Sequence, residues 1–364
     1  MEAVTTLELE ITDVGAQGVC IARHEGQVVF VTGAIPGERV RAIVTGSGKG
    51  GRFLRAEVVK VLEPSSDRVT PACGYAGVCG GCTWQHVSRS RQLELKTKVL
   101  RDALTRIGGI DAQGVSVTEA TGDGTRWRTR IRMTPNDEGR LGFRAARSHD
   151  VVVVDDCVIS RVTVPTHVTE WPSEVLLGPD EFSAIGRTWR VHPAGFWQPH
   201  VLAAELLAQQ VRARSGLRPG DRALDLYSGV GLFSAVLAEQ VGMTGNVEAV
   251  ESNPAAVRDA KHNLVDLPQV HVHRADVGDW LTNFSGQADA VVVDPPRSGV
   301  AQPVVDALLR IAPTTLVMIA CDAASFARDL AKFLAAGWSV TDIEGYDLFP
   351  MTAHLEIAAT LKSP

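Results

Sequence analysis

A chain of 364 residues, 45% of them hydrophobic, holds enough apolar material for two or three domains with substantial cores. Its longest apolar runs, such as Leu316–Cys321, are far too short to cross a bilayer as a helix, so no membrane partner is expected. The net charge of −6 argues against general adhesion to polyanions, yet residues 64–150 carry +5 while 151–364 carry −10, a pattern that points to a local anionic partner. Met1–Glu10 is polar and alternating, without the charged-then-apolar run of a secretory leader, so a cytoplasmic location is expected. Alternating stretches at 7–11, 26–31, 38–44 and 56–62 are divided by Gly15, Gly18, Gly33, Pro36-Gly37 and Gly46-Ser-Gly48. This is the footprint of a small OB-fold-like β-barrel over 1–63. Cys20 lies inside it and reads as a small core residue.

Pro64-Ser-Ser-Asp-Arg68 then links the barrel to the densest chemical signal in the chain. Cys73, Cys79 and Cys82 fall within ten residues, and Cys79-Gly-Gly-Cys82 lets two thiolates turn back onto one centre. Clustered thiols in a reducing compartment point to a metal rather than to disulfides. Cys157 is the natural fourth ligand. Zinc and an iron–sulfur cluster both accept four cysteines, and spacing does not choose between them.

Helical spacing over 93–107 stops at Gly108-Gly109 and belongs to a central α+β unit over 64–192, where it is free to pack on the catalytic domain. Strands return over 116–192. Within Arg126-Trp-Arg-Thr-Arg-Ile-Arg132, a period of two puts Arg126, Arg128, Arg130 and Arg132 on one face, and nothing nearby in sequence offers four carboxylates to match them. The plainer reading is a solvated or ion-paired face; the sharper one is a phosphate track for RNA.

From 193 onward helices and apolar strands alternate: helices at 202–211, 232–241, 254–264 and 326–336, strands at 223–226, 246–250, 290–293 and 316–320. That rhythm predicts a doubly wound, Rossmann-like α/β domain. Its first turn, Asp225-Leu-Tyr-Ser-Gly-Val-Gly231, lacks the third glycine of a dinucleotide site, because Ser234 stands there. Asp225 would repel a pyrophosphate but suits the ammonium end of S-adenosylmethionine beside Gly229 and Gly231. Glu251, at the next strand end, can accept both ribose hydroxyls, and Asp276 stands near where an adenine would lie. Each acid alone is as readily a solvated loop carboxylate; three of them after three strands are less easily dismissed.

Asp294, before Pro295-Pro296, sits on a stiff loop suited to gripping a planar base. Cys321 ends a strand and opens a helix, a position that favours thiolate, although many such cysteines are merely small hydrophobes. Pro350–Ile357 reads as a late strand on which His354 and Glu356 share a face. Methylating C5 of uracil requires a thiolate on C6, a methyl donor, and a base to remove the C5 proton, and this chain offers all three.

Taken with Cys82-Thr-Trp-Gln-His86, Phe196-Trp-Gln198, Asp294-Pro-Pro-Arg-Ser-Gly299, Ala327-Arg-Asp-Leu330 and Pro350-x-Thr-x-His-x-Glu356, the chain resembles the RNA 5-methyluridine (uracil-C5) methyltransferases. The resemblance is to their iron–sulfur branch with an N-terminal TRAM domain, and it spans essentially the whole length. It implies a class I methyltransferase domain over 193–364, with Cys321 as nucleophile and Glu356 as base. Gln198, Tyr227, Glu251 and Asp294 would touch S-adenosylmethionine or the uracil. Cys73, Cys79, Cys82 and Cys157 would hold a [4Fe–4S] cluster. The implied partner is RNA, 23S ribosomal RNA ahead of transfer RNA, engaged by a monomer. Departures from the pattern are Asp322, Leu232 and His200. Two other readings are an amino-group methyltransferase, which needs no nucleophilic thiol, and a metal-stapled RNA-binding factor on an inactive methyltransferase fold.

Overall fold

Alternation of apolar and polar residues makes the first 63 residues a sheet. In the computed structural model, which describes residues 5–120, 122–146, 148–165 and 173–364, six strands pair in the order β1-β5-β6-β4-β3-β2. They are β1 (Thr6–Glu10), β2 (Asp13–Val14), β3 (Cys20–His24), β4 (Gln27–Thr32), β5 (Arg39–Ser47) and β6 (Phe53–Glu63). Leu7, Leu9, Val29, Val31, Val40 and Ala56 fill one core, and Cys20 joins it, its thiol donating to the Ala34 carbonyl at 3.1 Å. Met1–Val4 of the opening stretch, and residues 166–172 of the expected strand region, lie outside the described residues.

A buried fork joins the barrel to the rest of the chain. Glu38 accepts from Arg68 Nε at 2.6 Å and Nη2 at 2.7 Å, and from the backbone N–H groups of Ile35 and Ser65. Burial alone would raise this carboxyl's pKa, but the guanidinium and the two N–H groups hold it below its usual value.

Ser88 caps α1 (Arg89–Arg106) by accepting from the Arg91 N–H, so the helix begins four residues before the apolar periodicity does. The strands β7 (Val117–Glu119), β8 (Ile131–Pro135), β9 (Leu141–Arg144), β10 (Val151–Val153) and β11 (Val175–Leu177) follow. Four of them form a small sheet ordered β10-β9-β8-β11, and β12 (Glu181–Ala184) pairs with β13 (Arg187–Arg190). The expected strand over Arg126–Arg132 is therefore only half formed, since the ladder begins at Ile131. Arg126 sits at φ +47, and Arg128 makes only isolated bridges. Burial still alternates along it, with Trp127, Thr129, Ile131 and Met133 buried and the arginines between them less so, but regular pairing with a partner strand begins only at residue 131.

The remainder alternates helix and strand: α2 (Ala203–Ser215), β14 (Arg222–Leu226), α3 (Leu232–Val241), β15 (Asn246–Glu251), α4 (Pro254–Asn263), β16 (Val270–Arg274), α5 (Val277–Asn283), β17 (Ala290–Val293), α6 (Gln302–Ile311), β18 (Thr315–Ala320), α7 (Ala323–Ala335), β19 (Ser339–Asp347) and β20 (Glu356–Lys362). One eight-stranded sheet runs β16-β15-β14-β17-β18-β20-β19-β7, with the first five strands parallel and β20 antiparallel between β18 and β19. Val291, Val293, Leu316 and Met318 face one helical layer, and Val292, Val317 and Ile319 face the other. The strand order reverses between β14 and β17, which opens a crevice at their carboxyl ends. Two sequence expectations are corrected here. β7 leaves the central segment to form the edge of the catalytic sheet, parallel to β19, and the late strand starts only at Glu356, because Met351 at φ +65 turns the chain. Among the described residues, no helix is long and apolar enough to cross a membrane.

Gly18, at φ +74, lets the tip of the barrel press against the late loop. A Cβ there would sit 2.6 Å from the Trp84 ring and closer still to Ala353. Gly18→Ala should therefore destabilise the protein by about 1–3 kcal/mol, read as a lower urea midpoint with an unchanged denaturant slope.

Candidate active site

The turn after β14 is built for a ligand to approach. Tyr227, Gly229 and Gly231 all take positive φ (+66, +55 and +95), and Gly231 caps α3. A Cβ on Gly231 would strike Leu264 at 2.5 Å, whereas one on Gly229 would meet none of the described residues within 4 Å. Gly231 is needed for packing, and Gly229 leaves open space above a helix N-terminus. Asp225 is fully buried and accepts from Ser234 Oγ at 2.5 Å; its other oxygen has no partner among the described residues. Burial pushes its pKa up to about 7, against the Ser234 hydrogen bond. The serine that breaks the dinucleotide pattern thus holds this acid, a role the sequence reading missed.

Glu251, the last residue of β15, accepts from the Gly229 N–H at 3.0 Å and from the Asn253 N–H at 2.7 Å. It fixes the glycine turn from the neighbouring strand end. Asp276 is exposed and caps α5, accepting from the Gly278 N–H at 2.8 Å.

The reacting groups converge at the next strand ends. Gln198 Nε2 donates to Asp294 Oδ2 at 3.4 Å. Glu356 is 3% exposed, and burial holds its pKa well above normal; repulsion from Asp294 adds to this and Arg297 opposes it. Asp294 is likewise raised, by burial first, with the Gln198 bond opposing. Cys321 does not follow expectation. Its position before α7 was to favour thiolate, but burial, then Glu356 and Asp294, push the thiol up to about 11, and only Arg297 pulls the other way. Burial of the thiol, joined by the charges of Glu356 and Asp294, outweighs the helix end.

Arg297 therefore belongs to the site. Its signal was its place one residue past the Pro-Pro of the Asp294 loop, with no other acid beside it in sequence. Its Nη2 also lies 3.4 Å from His354 Nε2. His354 is held neutral, its pKa lowered to about 4 by burial and by nearby cations. His200, one of the three departures noted in the sequence, is also buried, and burial lowers its pKa to about 4. Cys321, Arg297 and His354 line a cavity of about 750 Å³ whose opposite wall is the barrel tip, Val14–Gln17. That volume exceeds what one base fills.

The four remaining cysteines of interest also meet. Cys73, Cys79, Cys82 and Cys157 line a separate cavity of about 180 Å³, all of them free thiols. Among the described residues, however, no group of three or more His, Cys, Asp or Glu side chains is arranged to hold a metal ion, so the expected metal set is gathered but not closed. Burial raises Cys79 and Cys157, and lifts Cys82 to about 11.

The four arginines each have partners within the protein. Arg126 pairs with Asp156 at 2.5 Å and Arg132 with Glu174 at 3.1 Å. Arg130 donates to the carbonyls of His192, Pro193 and Gly195. Arg128 turns inward onto the cysteine cavity and bonds the Arg130 carbonyl at 3.1 Å. The carboxylates missing nearby in sequence arrive from residues 156 and 174, and the four side chains do not share a solvent face.

A sheet of this order, with a glycine turn after β14 and functional groups at successive strand ends, defines the class I methyltransferase fold. The tRNA (uracil-54, C5)-methyltransferase of Pyrococcus abyssi, solved with S-adenosyl-L-homocysteine, shares that fold: TM-score 0.72 and 23% identity over 98% of this chain and 100% of that one. Residues 2–59 match the TRAM domain, 196–318 the methyltransferase small domain, and 279–363 the tRNA (uracil-5-)-methyltransferase family. An uncharacterized RNA methyltransferase of Streptomyces coelicolor is 36% identical across 98% of this chain and 92% of its own length. The 23S rRNA (uracil(1939)-C(5))-methyltransferase RlmD of Shewanella sp. (strain ANA-3) is 28% identical across 94% and 92%. The chain belongs to the RNA methyltransferases and is an enzyme of that kind.

The charges around Cys321 set how fast it reacts. In cofactor-free protein, its alkylation by iodoacetamide, read by peptide mass spectrometry, should be slow near neutrality and climb as the pH approaches about 11. Arg297→Met should slow it further. Glu356→Gln should quicken it at a pH high enough to ionise Glu356 in the wild type.

Proposed function

We propose that this enzyme forms 5-methyluridine in 23S ribosomal RNA, using S-adenosylmethionine. The observation that carries the reading is the convergence of Cys321, Glu356, Asp294 and Arg297 at one sheet edge. An amino-group methyltransferase has no use for that thiol. The cofactor's site fits the residues present: open space above Gly229, an Asp225 oxygen with no partner among the described residues to meet a cationic group, and Glu251 beside the glycine turn. S-adenosylmethionine supplies an electrophilic methyl group there. Tyr227 and Asp276 would flank its ribose and adenine, and Gln198 and Asp294 would lie between cofactor and uracil. The choice of 23S rRNA over tRNA leans on the Shewanella relative, whose identity exceeds that of the archaeal tRNA enzyme.

The chain's own groups then act in order. Cys321 gives its proton to solvent, Arg297 favours the resulting thiolate, and a protonated Asp294 removes one repulsion while Glu356 is kept ionised for the last step. The thiolate adds to C6 of uracil, and C5 gains the electrons with which it takes the methyl group. Ionised Glu356 removes the C5 proton, the C6–S bond breaks, and the thiolate is released. A base that burial gives a high proton affinity suits this last step.

RNA carrying 5-fluorouridine at the target should trap wild-type enzyme as a stable adduct, since fluorine does not leave as a proton does, and Cys321→Ala should trap none. Mapping 5-methyluridine in ribosomal and transfer RNA, with and without this protein, identifies the substrate; loss confined to tRNA would overturn the ribosomal reading.

We also propose a [4Fe–4S] cluster on Cys73, Cys79, Cys82 and Cys157. A four-iron cube takes one thiolate per iron, so its ligands stand apart rather than converge on one ion. The Arg128 guanidinium beside them makes no ion pair among the described residues, which suits an anionic occupant. Protein purified without oxygen should be brown and carry acid-labile sulfide. A colourless, active preparation with one zinc would refute the cluster.

A further inference from the structure

The loop that delivers Glu356 is held from outside its own sheet. Residues 348–355 leave β19 and reach β20, yet the fixed points along them come from α1 and the cysteine segment. Lys96 Nζ donates to Asp347 Oδ1 at 2.5 Å and to the Phe349 carbonyl at 3.0 Å, with both Lys96 and Asp347 side chains fully buried. Arg89 Nη2 donates to the other Asp347 oxygen at 2.7 Å and to Glu119 at 2.9 Å. One turn along, Gln92 Oε1 accepts from the Met351 N–H at 2.9 Å, while Gln92 Nε2 donates to the carbonyls of Trp84 and Val87. The Trp84 N–H donates to the Met351 carbonyl at 2.9 Å, so both polar groups of the Met351 backbone are fixed by side chain or backbone from residues 84–92.

Met351 itself takes φ +65, a conformation that a non-glycine residue holds only where its surroundings impose it. Five residues further on stands Glu356. A buried lysine–carboxylate pair is a poor way to gain stability, because burial penalises both charges; burial lowers the Lys96 pKa to about 8 even with Asp347 opposing. Its use is better sought in geometry. A lysine reaching one carboxylate and one carbonyl at the start of the loop fixes where that loop begins, and Gln92 fixes where it turns.

We infer that Lys96 and Gln92 are positioning residues for the general base: through Asp347, Phe349 and Met351 they set the place of Glu356 relative to C5 of the uracil. This rests on the reading of Glu356 as the base. It makes a distinctive demand on the kinetics. Displacing Glu356 should leave Cys321 addition and methyl transfer in place and slow proton removal, so that methylated RNA accumulates while still bound to Cys321.

The test uses full-length enzyme, RNA with ordinary uridine at the target, and S-adenosylmethionine labelled in its methyl group. Labelled protein–RNA adduct that survives denaturant is measured after a single turnover. Wild type should leave almost none, and Glu356→Gln should accumulate it. Lys96→Met should accumulate it too, with turnover reduced roughly 100-fold, as expected for a reacting group displaced by about 1 Å. Lys96→Met/Asp347→Asn, which removes both buried charges, should fold as well as wild type and still accumulate adduct. Gln92→Leu leaves the ion pair intact and should show the same stall to a smaller degree, which keeps the test available should Lys96→Met fail to fold. S-adenosylmethionine affinity should match wild type in every folded variant. Absence of adduct in Glu356→Gln removes the base assignment itself. Adduct in Glu356→Gln, but none in folded Lys96 and Gln92 variants, overturns the positioning role.

Discussion

Helices covering both faces of a parallel sheet leave polar side chains one outlet, the edge where the strands end. Everything chemical in the catalytic domain stands on that edge. Asp225, Glu251, Asp294 and Cys321 occupy the ends of β14, β15, β17 and β18, and Glu356 begins the antiparallel β20 beside them. Burial raises the proton affinity of Asp225, Asp294 and Glu356, and burial together with the charges of Glu356 and Asp294 holds the proton on Cys321. The resting site is thus an acid-rich pocket with Arg297 as its counter-charge. A cationic cofactor entering such a pocket meets the charge it needs, and its arrival changes the balance that the thiol feels.

Much of this was legible in the sequence because it obeys short periods. The helices over 232–241 and 254–263 and the strand over 290–293 follow from uninterrupted apolar spacing and from caps such as Asn253 before Pro254. The acids at strand ends were readable for the same reason, since each stands at or near the end of an apolar strand. The four cysteines were readable from spacing, and they do share a cavity.

What misled was local pattern without tertiary context. Four alternating arginines imply a strand only if a partner strand exists for all of them, and before Ile131 the backbone pairs with loop segments at 158–161 and 199–201 instead. Their counter-ions come from 30 residues or more away, a distance at which sequence patterns are silent. Cys321 shows the same failure in electrostatics: the helix start was visible, but the two buried carboxyls around the thiol are assembled by folding. Ser234, Arg297 and Lys96 went unassigned because each acts on a partner from another element. Lys96 carried the strongest clue, a charge on the apolar face of α1 with Gln92 and Leu100.

The span of the Lys96–Asp347 contact has a further consequence, in time rather than in space. The partners are 251 residues apart, and β7 likewise waits for β19. At ribosomal rates of about 5–20 residues per second, α1 emerges on the order of 10–50 s before the carboxylate it must bury against. The barrel, whose strand pairings all lie within the first 63 residues, has no such wait. During synthesis the nascent chain therefore carries a folded N-terminal module followed by a helix whose lysine and apolar stripe remain in water. The catalytic sheet closes on that helix only once β19 and β20 have been made.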